Sequence, residues 1–221
     1  MQRALALSLI QVYADLETSG SDETASKPLF FLIDEPETFL HPYAQNKLLD
    51  ALEVISGSSQ IFLSTHSPYL LKKYDSGTHS LNIFSKQADG FNSTPSSQNE
   101  LDLFGTSSPT WGEINYVAFG MPTVEFHNEL YGFIQTKAIL EDCDNCREEN
   151  FENWLEQHGL SKNKKYVREL KDGTTKEYDT TLPTFIRNLI HHPENQHNDR
   201  YSNEELNSSI EALLRIYKSL S

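Results

Sequence analysis

PLFFLIDEPETFLHP, residues 28–42, is the stretch whose reading decides the fold. It opens on five apolar residues, Leu29 to Ile33, held between Pro28 and the acidic pair Asp34-Glu35. A short apolar run closed by turn chemistry predicts a strand buried on both faces, as at the centre of a parallel sheet. Carboxylates at the C-terminal end of such a strand stand where open α/β sheets bind ligands, and there they need water, a cation or a proton.

Working outward, QIFLSTHSPYLL, residues 60–71, repeats the pattern: Ile61-Phe62-Leu63 predicts a second buried strand, ending in Ser64-Thr65-His66-Ser67-Pro68. Between the two runs, Leu48, Leu49, Leu52 and Ile55 recur at helical spacing, with Gly57 as the stop. Strand, helix, strand is a βαβ unit, and its strand ends bring Asp34, Glu35 and His66 to one edge of the sheet.

An apolar run ending in DEPE, then LHP, then a strand ending in STHSP, resembles the C-terminal half of an ABC-class ATPase head, nearest to the AAA_21 and OLD-like ATPases related to the SMC and Rad50 heads. The resemblance implies that Asp34 is the Walker B aspartate ordering Mg²⁺, usually through water. It implies that Glu35 is the base polarising the attacking water, and that His66 is the switch histidine at the γ-phosphate of ATP. The residue types suit phosphoryl transfer, which asks for a hard cation on oxygen ligands, an oriented water and a donor facing developing charge.

No G-x-x-x-x-G-K-[ST] phosphate loop occurs in the sequence. Nor does an LSGGQ-type signature, although residues 1–16, MQRALALSLIQVYADL, look like the helix that follows one. Met1-Gln2-Arg3 would then be the tail of a signature whose front half lies elsewhere. The expectation is a C-terminal piece that binds ATP poorly alone. It would be completed by a segment bearing the phosphate loop, from the same gene or a separate chain, and would work as a head-to-head homodimer or higher oligomer.

The 221 residues are 37 % hydrophobic, adequate for a core, and allow one or two domains. A net charge of −14 gives no global field toward nucleic acid or acidic membranes, which argues against a general nucleic-acid coat. The apolar run Ala4 to Ile10 imitates a signal peptide but is short and leads into Asp15-Leu16-Glu17; Leu5, Leu9, Val12 and Leu16 predict a buried helix instead. No stretch approaches the ~18 apolar residues of a membrane span, and a cytoplasmic location is expected. Residues 17–27 predict an exposed loop. Residues 80–85 alternate as one more strand, and the Ser/Thr/Asn/Gln/Pro/Gly-rich stretch after them predicts a linker. The division expected is an α/β head piece at 1–85, a loop at 86–110 and a mostly α-helical domain at 111–221.

In that last part the periodicity predicts helices over 123–139, 148–158 and from Leu182-Pro183 to before Pro193, then a final one opened by a Ser202/Glu205 capping box. The basic section 162–181 reads as a solvated face. Arg187-Asn188 followed by His192, with four residues between Arg187 and His192, resembles the R-x(4–6)-H motif of HEPN ribonucleases. That resemblance implies a paired, metal-independent RNase in which Arg holds the phosphate and His moves the proton. The plainer reading is a buried network pinning helices. ATPase heads joined to such toxins look like anti-phage defence proteins. Cys143-Asp144-Asn145-Cys146 is a lone C-x-x-C with His158 as a possible third zinc ligand and no fourth, so free thiols are expected. Three functions follow: an ATPase head piece, an RNase effector that such a head regulates, or a scaffold remnant without turnover.

Overall fold

The computed structural model describes residues 29–57, 59–75, 77–87, 90–95, 101–140 and 147–220. The expected N-terminal helix, the loop at 17–27 and the C-x-x-C lie outside the described residues. The chain divides into two compact units, Met1–Ser80 and Leu81–Ser221.

In the first unit, β1 (Leu29–Asp34) pairs in parallel with β2 (Ser59–Ser64), in a register that sets Asp34 opposite Ser64. The crossover is α1 (Pro42–Ser56), so the predicted βαβ unit is present. The L-H-P of the sequence is this helix's start: His41 Nδ1 accepts from the Tyr43 amide at 3.3 Å, and Pro42 occupies the first turn, where its missing N–H is harmless. The helix ends at Gly57, as its sequence predicted. Leu48, Leu52 and Leu70 form the core, with Ile33 and Ile61 packed onto it from the strands.

The expectation that β1 is buried on both faces is corrected. Phe31 and Ile33 turn inward, whereas Phe30 is 59 % and Leu32 76 % exposed, and Phe62 beside Phe30 is exposed as well. Side chains alternate across a strand, and in the described unit α1 covers one face of the two-stranded sheet.

In the second unit, β3 (Asn82–Gln87) pairs antiparallel with β4 (Gly90–Pro95). The strand expected near 80–85 is therefore part of a separate hairpin, and β4 lies where a linker was expected. A short helix α3 (Trp111–Glu113) leads to α4 (Val124–Leu140), α5 (Glu148–Gln157), α6 (Leu182–His191) and α7 (Asn203–Ser219). Phe126, Leu130, Ile134, Phe151, Leu155, Ile186, Ile210 and Leu213 fill the core between them. The basic section is a hairpin, β5 (Lys164–Glu169) with β6 (Thr175–Thr180), turning through Gly173 at φ 80°, and most of its side chains are exposed, as a solvated face requires. The Asp172-Gly173 turn favours this pairing.

Buried polar groups pin this unit. The Glu113 carboxylate is fully buried and accepts from the amides of Leu103 and Thr110 and the Ser108 hydroxyl. The Glu152 carboxylate accepts from both the amide and the hydroxyl of Thr181 at 2.7 Å. Thr181 is the N-cap of α6, so the charge sits at the positive end of that helix. The predicted Ser202/Glu205 capping box opens α7.

Candidate active site

The parallel register carries the ends of β1 and β2 to one edge, and the loops beyond them, 35–41 and 65–67, form the site. Asp34 Oδ1 accepts a hydrogen bond from the Ser64 hydroxyl across the strand pair. The Glu35 amide donates to the Ser64 carbonyl at 3.1 Å and to its hydroxyl at 3.3 Å. These tethers hold Glu35 at φ 42°, a left-handed conformation that a non-glycine residue adopts only under constraint. Glu35 Oε2 accepts from the Thr38 hydroxyl at 3.1 Å, and its Oε1 stands 3.5 Å from His66 Nε2.

The structure therefore brings Glu35 and His66 into ion-pair distance and sets Asp34 beside them through Ser64. The His66 side chain is 85 % exposed, so the imidazole faces solvent rather than the core. The oxygens of Asp34 and Ser64 at the strand ends are the donor type that Mg²⁺ takes. Among the described residues no group of three or more His, Cys, Asp or Glu gathers as a metal cage.

Sequence reasoning missed Glu37. It is 7 % exposed, and its Oε1 accepts from the Thr65 hydroxyl at 2.6 Å and the His66 amide at 3.0 Å. Its Oε2 is sealed from solvent with no hydrogen-bond partner. Behind it, Ser67 caps the short helix α2 (Pro68–Leu71) and donates to buried Gln45, whose amide donates to the Leu40 carbonyl at 3.1 Å. The available signal was charge density: three carboxylates within Asp34–Glu37 require partners, and Thr65 and Ser67 are the short donors within reach.

The second candidate set is arranged differently. Asn188 is buried and donates to Glu148 at 2.8 Å, and Arg187 donates to Asn188 at 3.3 Å while its guanidinium lies 5.8 Å from the Tyr131 ring centre. His192 ends α6, half-exposed, with Nδ1 3.2 Å from Glu194. A cavity of about 960 Å³ beside the β5–β6 hairpin is lined by Asn188, His192, Tyr166 and Arg168 among others, and not by Arg187. Arg187 and Asn188 thus form part of a network pinning α6, and His192 stands at the cavity wall. His158, the possible zinc ligand, lies with its Nδ1 2.8 Å from the Trp154 carbonyl and its ring against the indole.

Residues 1–72, which hold every residue of the first site, match the family described as AAA domain, putative AbiEii toxin, Type IV TA system (AAA_21). The chain is also similar to the Old nuclease of Escherichia phage P2, 34 % identical over 112 residues, which is 49 % of this chain and 18 % of that protein. The chain thus spans under a fifth of that relative's length. No solved structure matches. Among the described residues no helix is long and apolar enough to cross a membrane.

Proposed function

We propose that the β1–α1–β2 unit is the magnesium- and γ-phosphate-facing part of an ATP-hydrolysing head of the anti-phage defence class. A segment bearing a phosphate loop would complete it, and two heads would act together. The observation that carries this reading is the convergence of Asp34, Glu35 and His66 at one end of a parallel strand pair, with Glu35 Oε1 3.5 Å from His66 Nε2. Mg²⁺, held by Asp34 through water with Ser64 alongside, would neutralise charge on the ATP phosphates.

The chain's own residues do the rest. Glu35, steadied by the Thr38 hydroxyl, accepts a proton from the attacking water. The exposed imidazole of His66 donates toward the charge that develops on the terminal phosphoryl oxygens. Ser64 ties both strand ends together, so the carboxylates keep their spacing. The test is reconstitution: joining the phosphate-loop segment should restore ATP hydrolysis, and Glu35→Gln should abolish it. A completed head that never binds nucleotide would leave the scaffold reading instead.

One observation favours a second reading. Asn188 and His192 line the cavity beside the β5–β6 hairpin, as an RNase effector requires of them, whereas Arg187, its phosphate-holding residue, does not line it. RNA cut without Mg²⁺, and uncut by His192→Ala, is the result it expects.

A further inference from the structure

We infer that Glu37 is a positioning residue that fixes the His66 loop against the Glu35 loop. This rests on the ATPase reading above. Its carboxylate lies in the turn after β1, yet its two donors, the Thr65 hydroxyl and the His66 amide, belong to the loop after β2. The connection is therefore side chain to loop, across 28 and 29 residues of sequence, beside the Glu35–His66 pair.

The chemistry suits a clamp. A carboxylate accepts two hydrogen bonds on one oxygen, each charge-assisted and stronger than a neutral bond. It is nine-tenths buried, so water does not compete for those donors. The Thr65 hydroxyl that donates to Glu37 also accepts from the Ser67 amide at 2.9 Å, so the whole turn 65–67 is wound on this carboxylate. Gln45 holds Ser67 from the helix side. The His66 ring itself is 85 % exposed, so the backbone bond to Glu37 is what sets where the imidazole starts. Glu37 touches no reacting atom in this arrangement; it acts through His66.

Two measurements separate this inference from the reading beneath it. In the chain alone, Glu37→Ala should speed hydrogen exchange of the His66 amide by about tenfold or more, the loss expected of a charge-assisted bond, while the amides of Ile33 and Leu63 stay protected. Glu37→Gln keeps one acceptor oxygen and should restore most of the protection, and Thr65→Val tests the same clamp if Glu37→Ala fails to fold. In the completed head, Glu37→Ala should lower kcat by about 10- to 100-fold with KM for ATP little changed, the size of effect that slight misplacement brings. In a His66→Ala background the same substitution should do nothing further, because its effect passes through that imidazole. Unchanged exchange at His66, or kinetic losses that multiply in full, would overturn the inference while Glu35→Gln still abolished turnover. A completed head without hydrolysis would overturn the ATPase reading, and the exchange at His66 would then decide the clamp alone.

Discussion

His127 gives a pH test of the helical unit. It is fully buried on α4, with Nε2 3.0 Å from the Ser209 hydroxyl of α7 and its ring 6.3 Å from that of Tyr131. Burial lowers its pKa from 6.5 to about 4, because a charged imidazolium there would lose its hydration; the neighbouring Asn128 amide offsets this only in part. The folded protein keeps the ring neutral, while the unfolded chain takes up the proton near pH 6.5. Between these values the unfolded state binds more protons, so stability falls as pH is lowered through 6.5 toward 4 and is flat above it. Those two pKa values correspond to about 2 kcal/mol lost by pH 5 and about 3 kcal/mol by pH 4, order-of-magnitude figures for a buried group. Urea unfolding of wild type and His127→Phe at pH 7.5, 6 and 5 (conditions chosen to span the window) isolates the histidine, since the carboxylates are common to both. The variant should lose about 1 kcal/mol at neutral pH, where Ser209 gives up its partner, and should overtake the wild type by pH 5. Parallel pH dependences for the two proteins would refute the reasoning.

Further outcomes follow from other contacts. Gly112→Ala places a Cβ 2.6 Å from Phe126 Cα and 2.7 Å from its amide nitrogen, so α3 and α4 must separate; a loss of about 1–3 kcal/mol should appear as a Tm several degrees lower. Glu152→Ala leaves the Thr181 amide unpaired in a buried place, and its hydroxyl with only the Thr184 hydroxyl at 3.4 Å; it should cost about 3 kcal/mol by denaturant titration, with Glu152→Gln costing less because one acceptor remains. Ser202→Ala removes the cap of α7 and should cost about 1 kcal/mol, read by the same titration. Ser64→Ala frees Asp34 from its cross-strand donor and should weaken Mg²⁺-dependent ATP binding in the completed head more than it weakens stability.

The parts of this protein legible from sequence are those where local chemistry and tertiary structure agree. Leu48, Leu52 and Ile55 announce α1 because a buried stripe at helical spacing has one solution, and Ser202 with Glu205 announces α7 because a capping box is entirely local. Asp34, Glu35 and His66 were nameable because strand ends in a βαβ unit must lie together. Glu37 was not, since its importance is a long-range fact: a side chain in one loop bonding a backbone amide in another. The open face at Phe30 and Leu32 was missed because an apolar run says a strand is hydrophobic without saying how many layers cover it. The β5–β6 hairpin was missed because Lys162 to Thr181 carries too little apolar alternation to separate a polar hairpin from a solvated face.

The central claim is that Glu35 at the strand edge is the proton acceptor in ATP hydrolysis. Single-turnover hydrolysis in the head completed by its phosphate-loop segment, wild type against Glu35→Gln, tests it most directly. The account predicts ATP–Mg²⁺ affinity within a few-fold of wild type and a hydrolysis step slower by about 100-fold or more. Hydrolysis at an undiminished rate in Glu35→Gln would contradict it.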